Sequence, residues 1–159
     1  MNIAIYGEQF DTEHKDIFRQ FIEKLTANNI RIYVYQKFYD QIKPYGFFSG
    51  EPVYQFMNYE EVYDHADILI SAGGDGTLLN AITLVRDSGI PILGLNFGRL
   101  GFLSSISKEN VMPAIDSLLS NNYEIDERTL LNVSCSNNIF GDLNFGLNDL
   151  TIHRHNSHA

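Results

Sequence analysis

At the start of the chain, the arrangement of apolar and polar residues is first typical of a strand, then of a helix and then of a strand again. Asn2–Tyr6 is a short apolar run that ends at Gly7, as the first strand of an α/β domain commonly does. A helix with one apolar face follows, and Asp11 or Thr12 is its expected cap. The apolar face comprises Ile17, Phe18, Phe21, Ile22 and Leu25. A second strand is predicted over residues 30–35, so this region predicts a βαβ unit with a right-handed crossover.

Residues 36–58 show no regular period. The stretch contains four aromatic residues, Phe38, Tyr39, Phe47 and Phe48, and four residues that interrupt long elements, Pro44, Gly46, Gly50 and Pro52. Two interpretations remain open: a partner surface, since aromatic residues are enriched at interfaces, or an irregular insertion packed on the sheet edge. One or two helical turns are expected over residues 58–64, with Asn58 as the cap.

The central pattern is a buried strand, a glycine turn and a helix. Residues 68–70 are apolar and β-prone, as a strand covered on both faces should be. The period then becomes helical, and the expected inward residues are Leu78, Leu79, Ile82 and Val85. The next strand is predicted over residues 90–95. Ligands bind near the carboxyl ends of strands in open α/β sheets, so the loops that follow these two strands are expected to face one crevice.

A change of pattern in the last third predicts a second region. Residues 108–122 predict a helix, whereas 123–128, 129–136 and 139–154 are rich in β-prone residues, with a hairpin turn expected at Asn137 and Asn138. The fold class is therefore α/β: a Rossmann-like open sheet followed by the start of an antiparallel β-rich domain of the β-sandwich type. We assign residues 1–105 to the first domain and 106–159 to the second, whose strands begin after the helix.

Composition narrows the functional classes. The chain has 159 residues, 44% of them hydrophobic and 19% charged, with a formal net charge of −9. This charge disfavours nucleic-acid and anionic-membrane partners, which bind clustered Lys and Arg. A single cysteine, Cys135, excludes an internal disulfide and a cysteine-rich zinc site. Without an apolar run near the ~20 residues of a membrane span, the cytoplasm is the expected location.

The glycine turn carries the candidate chemistry. Unpaired N–H groups and the dipole of a helix N-terminus favour anions, and glycines let a phosphate approach the backbone closely. Asp75 repels phosphate, so its presence makes sense if it acts on a hydroxyl or holds a cation that the phosphates share. The alternative is an aspartate that caps the helix, with glycines that only turn the chain.

Three sequence blocks carry a family resemblance. Residues 73–77, Gly-Gly-Asp-Gly-Thr, resemble the signature of the NAD kinase family, which diacylglycerol and sphingosine kinases share and which has a close relative in 6-phosphofructokinases. Residues 96–103 resemble the N-x-G-x-L-G-F-L block of NAD kinases, which the lipid kinases lack. Residues 146–154 resemble the family's "LNE" strand. The three blocks occur in the family's order.

The resemblance implies a reaction and roles for residues of the turn. NAD kinases transfer the γ-phosphoryl group of ATP, or of polyphosphate in some members, to the 2′-hydroxyl of the adenosine ribose of NAD, which yields NADP. Asp75 matches the family's aspartate and is the expected catalytic base. Gly74 and Gly76 would let the backbone approach phosphate, and Thr77 would cap the helix or contact a phosphate oxygen. A divalent cation, Mg²⁺, is expected with the nucleotide, and we assign no metal site to protein residues alone.

The same resemblance implies a dinucleotide site. Phe102 matches an aromatic residue that lines the family's dinucleotide pocket, although a Phe is more commonly a core residue. Asn148 and Asp149 match the Asn-Glu pair that binds ribose and adenine, and Asp149 is one methylene shorter than the usual Glu. Arg99 stands where the family often has His, and we assign it no role.

The chain stops just after the block that resembles the LNE strand, whereas the family's β-rich domain continues. The resemblance therefore implies an N-terminal fragment, from which we expect weak binding or very slow turnover, and a homo-oligomer for the full-length protein. Small-molecule nucleotides are the expected partners. Two alternatives are a GGDGT-type kinase for a lipid or sugar and a non-catalytic nucleotide-binding module.

Overall fold

The computed structural model describes residues 1–48, 50, 52–98, 101–104, 106–137, 139–147 and 149–151. The chain divides into two compact units, Met1–Glu124 and Ile125–Ala159. The strands of the described part are β1 (Asn2–Tyr6), β2 (Arg31–Tyr35), β3 (Tyr54–Phe56), β4 (Ile68–Ala72), β5 (Ile92–Asn96), β6 (Ile106–Ser107), β7 (Leu131–Asn132) and β8 (Phe145–Gly146). Its α-helices are α1 (Lys15–Ala27), α2 (Gln36–Ile42), α3 (Tyr59–His65), α4 (Asp75–Ile82) and α5 (Val111–Leu119).

The first unit contains a parallel sheet with the strand order β3-β2-β1-β4-β5-β6. Strand β1 lies at its centre, where Ile3 pairs with Ile32 of β2 on one side and with Ile68 of β4 on the other. The chain adds strands first on one side of β1 and then, from β4 onward, on the other. The direction of strand addition therefore reverses between β1 and β4, which makes this point the topological switch of the sheet.

Helices cover both faces of this sheet. Alternate residues of a strand point to opposite faces: Ile3 and Ile5 belong to one buried cluster, and Ala4 and Tyr6 belong to another. The first cluster includes residues of α1, α2 and α5, whereas the second includes residues of α3 and α4. This arrangement confirms the predicted α/β class and the strand–helix–strand unit at the start of the chain.

Local caps begin two of the helices as predicted. The Asp11 side chain accepts a hydrogen bond from the backbone N–H of Glu13 at 2.9 Å, at the start of a short 3₁₀ turn that leads into α1. Four of the five predicted inward residues of α1 are buried, namely Phe18, Phe21, Ile22 and Leu25. Asn58 caps α3 and accepts from the N–H of Glu61 at 3.1 Å.

The aromatic stretch is part of the core. The stretch packs on the sheet edge as one of the two interpretations expects, but it is more regular than expected, because it contains helix α2 and edge strand β3. Phe38 and Phe47 are 1% and 5% exposed, and their ring centroids lie 5.9 and 5.1 Å from that of Phe18. Burial of these rings supports the interpretation as a packed insertion, because buried rings present no surface to a partner.

The inward face of α4 differs from the prediction by one position. Leu78, Ala81 and Ile82 are buried, whereas Leu79 is 38% exposed. Each residue advances about 100° around a helix, so Leu79 lies well away from the direction of Leu78. Val85 is buried as predicted, beyond the end of the helix.

Helix α5 belongs to the first unit. Val111, Ile115 and Leu118 join the cluster that α1 helps to form, and Lys24 of α1 makes an ion pair with Asp116. The first compact unit ends at Glu124 and so includes α5, whereas the domain assignment from the sequence, with its boundary between residues 105 and 106, stays a prediction. Helix α5 is part of this unit because its amphipathic face has its apolar partner on α1.

The second unit contains one antiparallel pair, in which Leu131 of β7 pairs with Gly146 of β8. The predicted strand over residues 123–128 is not formed; this exposed segment carries an ion pair between Asp126 and Arg128. The two longer β-prone stretches contain only β7 and β8 within the described residues. In that part of the chain, no helix has both the length and the apolarity needed to cross a membrane.

Candidate active site

A crevice lies at the carboxyl ends of β1, β4 and β5, at the topological switch. Its volume is about 610 Å³. The loop after β1, the glycine turn after β4 and the segment after β5 each contribute to its walls. The lining residues include Glu8, Asp11, His14, Gly73, Gly74, Thr77, Asn96 and Gly98. Open α/β sheets bind ligands at such a crevice, and both predicted glycine-rich loops border it.

Asp75 does not cap helix α4. The helix begins at Asp75 itself, and the residue in the capping position is Gly74, which has no side chain to donate or accept. The carboxylate of Asp75 instead accepts three backbone hydrogen bonds from the loop between β5 and β6: Phe102 N–H to Oδ2 at 2.8 Å, and Leu103 and Ser104 N–H to Oδ1 at 3.0 and 2.9 Å. The capping alternative is therefore wrong, and Asp75 joins the two glycine-rich segments.

These contacts favour the ionised form of the Asp75 carboxyl group. Hydrogen bonds from the N–H groups of Ser104 and Phe102, with a smaller effect from Leu103, lower the pKa of Asp75, and partial burial opposes them. Each donor favours the charged form of the carboxylate. Gly101 permits the close approach, because a Cβ at this position would lie 2.5 Å from Cγ of Asp75.

Ser104 is a site residue that the sequence did not reveal. It is fully buried, and its hydroxyl donates to the carbonyl of Gly73 at 3.0 Å. It also packs against Gly94 of β5, where an added Cβ would lie 3.0 Å from Oγ of Ser104. The sequence shows a small residue, Ser104, after the second block and a glycine, Gly94, within a predicted strand. Only the fold shows that these two residues pack against each other.

The glycines of the turn fall into two kinds. A Cβ at Gly73 would lie 2.8 Å from Cβ of Thr77, so the fold itself requires glycine there. A Cβ at Gly74 or Gly76 would meet no atom within 4 Å, and neither residue has the positive φ that favours glycine. Packing within the described chain therefore does not explain these two glycines, whereas a ligand close to the backbone would.

Acidic residues, rather than basic ones, border the crevice. The Glu8 carboxylate accepts from the Tyr6 hydroxyl at 3.2 Å and from the side chain of Asn80. Burial, followed by the negative charge of Glu8, raises the pKa of Tyr6, so its hydroxyl remains a donor. Among the described residues that line the crevice there is no Lys or Arg. Sequence reasoning missed Glu8 because its approach to the turn depends on the fold.

The other predicted residues are located as follows. Phe102 is 100% exposed, so it is not the core residue that its type favours, and its backbone contacts Asp75. Thr77 lines the crevice. Asp149 is exposed and belongs to the second unit. Asn148 and Arg99 lie outside the described residues.

Sequence comparisons identify relatives along nearly the whole chain. Residues 7–123 match the family described as the ATP-NAD kinase N-terminal domain. The NAD kinase of Flavobacterium psychrophilum is 38% identical over 156 residues, which cover 97% of this chain and 53% of the relative. The NAD kinase of Flavobacterium johnsoniae is 35% identical over 157 residues, with the same coverage. The chain thus spans about half the length of the curated relatives it matches.

A solved structure has the same fold. The crystal structure of yeast NADH kinase complexed with NADH superposes with a TM-score of 0.68 at 20% sequence identity, covering 82% of this chain and 41% of that chain. The likeness supports the α/β architecture described above. Because the family match extends over most of the chain and includes the glycine turn and the loop that binds its aspartate, the chain belongs to the ATP-NAD kinase family.

Proposed function

We propose that this chain supplies the phosphoryl-transfer site of an NAD kinase, which moves the γ-phosphoryl group of ATP to the 2′-hydroxyl of the adenosine ribose of NAD. Polyphosphate is an alternative donor. The observation that carries the proposal is the carboxylate of Asp75, which accepts three backbone hydrogen bonds at the glycine turn. Asp75 does not line the switch-point crevice itself, but its neighbours Gly74 and Thr77 do. The chain's relatives named NAD kinase support the choice of substrate.

Asp75 is the proposed catalytic base. Its Oδ1 accepts two backbone hydrogen bonds and its Oδ2 accepts one, so among the described contacts Oδ2 has more remaining capacity for a hydroxyl. In this role Oδ2 orients the acceptor hydroxyl and takes its proton as the hydroxyl oxygen bonds to the γ-phosphorus. The bond from that phosphorus to the β–γ bridging oxygen breaks, and ADP leaves with the bridging oxygen. A carboxylate with a lowered pKa suffices, because phosphoryl transfer depends mainly on positioning and charge stabilisation.

The start of α4 is the proposed phosphate cradle. The backbone beside Gly74 and Gly76 is open to an approaching ligand, and Thr77 lines the same crevice. Backbone N–H groups and the helix dipole favour an anion at this position. The two glycines therefore act by leaving room, while the N–H groups of the first helical turn supply the hydrogen bonds.

The crevice is suited to a nucleotide that brings its own cation. No group of three or more metal-ligating side chains occurs among the described residues, and Glu8 and Asp11 add negative charge to the walls. Mg²⁺ binds readily through phosphate oxygens and water with few protein ligands. When bound, it would neutralise the transferring phosphoryl group, so removal of Mg²⁺ by EDTA should abolish turnover.

Phe102, Asn148 and Asp149 are the proposed dinucleotide contacts. The Phe102 ring is fully exposed, and its backbone N–H contacts Asp75, so the ring offers a stacking surface for a base. An amide such as Asn148 can donate and accept at an adenine edge, and the carboxylate of Asp149 can accept from two neighbouring ribose hydroxyls. We also propose that the full-length enzyme is a cytoplasmic homo-oligomer and that nucleotides, rather than nucleic acids, are its partners.

NADP formation from NAD, ATP and Mg²⁺ tests the proposal. The assay should compare this chain with a chimera continued by the remaining half of the Flavobacterium psychrophilum relative, and each with its Asp75→Asn variant. Asp64→Asn is the matched control, because Asp64 is exposed and belongs to α3 rather than to the glycine turn. We expect the chimera and its control to form NADP and the Asp75→Asn variant to lose activity.

Two results would overturn this assignment. If the chimera phosphorylates a lipid or a sugar but not NAD, the chain supports another kinase of the GGDGT type. Nucleotide binding without turnover on any acceptor would identify a binding module.

A further inference from the structure

The segment that joins β5 to β6 is held by the glycine turn. Parallel strands are usually joined through a helix, but the described residues of this crossover, 97–98 and 101–104, contain none. The segment is bound to the turn at two points, the carboxylate of Asp75 and the carbonyl of Gly73. Residues 103 and 104 of this crossover therefore contact the glycine turn through these hydrogen bonds.

Ser104 makes both connections. Its N–H donates to Asp75 Oδ1 at 2.9 Å, and its hydroxyl donates to the Gly73 carbonyl at 3.0 Å. The two acceptors flank Gly74 in the sequence, so one buried residue contacts the turn on both sides of this glycine. Ser104 also packs closely against Gly94 of β5, where there is no room for a Cβ.

We propose that Ser104 is a positioning residue: its hydroxyl holds residues 101–104 against the turn, so that their N–H groups fix the orientation of the Asp75 carboxylate. Oδ1 is thereby bound by two of these N–H groups and Oδ2 by one, so Oδ2 keeps more capacity to accept a hydrogen bond from the acceptor hydroxyl. Ser104 acts through Asp75 and does not touch the reactants. The inference rests on the catalytic role proposed for Asp75.

Ser104→Ala tests the inference, with Ser71→Ala as the matched control. Ser71 is also fully buried, but its hydroxyl has no hydrogen-bond partner within the described residues. Ser104→Thr retains the hydroxyl and serves as the rescue variant. Two readouts are needed: the titration of the Asp75 carboxyl carbon by NMR in this chain, and kcat and KM for NADP formation in the chimera.

In the Ser104→Ala variant we expect the pKa of Asp75 to rise, because loosened N–H donors favour its charged form less. The acid limb of kcat/KM should move to higher pH, and kcat should fall about tenfold while KM for ATP changes less than about twofold. Ser71→Ala should change neither readout. Ser104→Thr should recover kcat to within about threefold of the original chimera.

Equal behaviour of the two alanine variants in the titration and in kcat would overturn the inference, even if both were less stable. A different result separates the two proposals. If Ser104→Ala shifts the titration of Asp75 but Asp75→Asn still forms NADP, the positioning contact is correct and the catalytic role of Asp75 is wrong.

Discussion

Alanine at Gly73 and at Gly74 should have opposite consequences, although the two residues are adjacent. An added Cβ at Gly73 would lie 2.8 Å from Cβ and 3.1 Å from Cγ2 of Thr77, both closer than normal packing allows. At Gly74 the added Cβ would meet no atom within 4 Å, and φ and ψ of −79° and −168° suit any residue. The first substitution perturbs the fold, whereas the second enters the proposed phosphate cradle.

The magnitudes follow from this geometry. Overpacking at Gly73 should cost about 1–3 kcal/mol of unfolding free energy, which lowers Tm by roughly 2–12 °C for a chain of this size. At Gly74, reduced entropy of the unfolded chain adds about 0.4–1 kcal/mol, and the poorer capping preference of alanine removes a similar amount. The net change should stay within about 0.5 kcal/mol, or roughly 2 °C in Tm.

Nucleotide binding should show the reverse order. A methyl group at Gly74 holds a phosphate away from the backbone N–H groups, so we expect the affinity for ATP–Mg²⁺ to fall at least about tenfold, equivalent to about 1.4 kcal/mol. Thermal unfolding of this chain and titration calorimetry with ATP–Mg²⁺ on the chimera measure the two effects. Unchanged affinity in Gly74→Ala would refute the phosphate cradle, and equal Tm values for the two variants would refute the role of Thr77.

Three further predictions concern the contacts of Asp75. Gly101→Ala brings a Cβ to 2.5 Å from Cγ of Asp75, so it should cost about 1–3 kcal/mol of stability and abolish NADP formation by the chimera. Gly98→Ala is the control for stability alone: its Cβ would meet only Asn96 at 3.8 Å, so urea unfolding should not change. The folded-state pKa of Asp75 lies below the unfolded value of about 3.9, so the stabilisation by its carboxylate is present above that pH and is lost as pH falls through the folded pKa. Urea unfolding across this range should show that the free energy of unfolding falls less for Asp75→Asn than for the original chain. Identical pH dependence in the two proteins would contradict the hydrogen-bonded carboxylate. Phe102→Ala should leave Tm unchanged, because the ring is fully exposed. If the ring stacks on a base, the same variant should raise KM for NAD in the chimera about 2- to 12-fold. An unchanged KM would exclude the stacking role.

Local patterns were sufficient for the elements next to the site. The apolar period of α1 and its cap at Asp11 lie within a few residues of one another, and so do the strand, glycine turn and helix around Asp75. By contrast, α2 and β3 were not predicted, because Pro44 and nearby glycines obscured two short elements. Short elements of this kind are stabilised by packing, here through Phe38 and Phe47, more than by their own periodicity.

The sequence alone determined the α/β class, the order of the three family blocks and the position of Asp75 at a strand–helix junction, since each depends on residues close together in the chain. Only the tertiary structure decided what the carboxylate contacts, because its donors, Phe102 to Ser104, come from the crossover that follows β5, at least 27 residues further along the chain. The tertiary structure also showed that a side chain would clash at Gly73 but not at Gly74, and that Phe102 is exposed. Hydrogen bonding and burial at these positions depend on which distant segments the sheet brings together. The local pattern of apolar and polar residues does not predict such contacts.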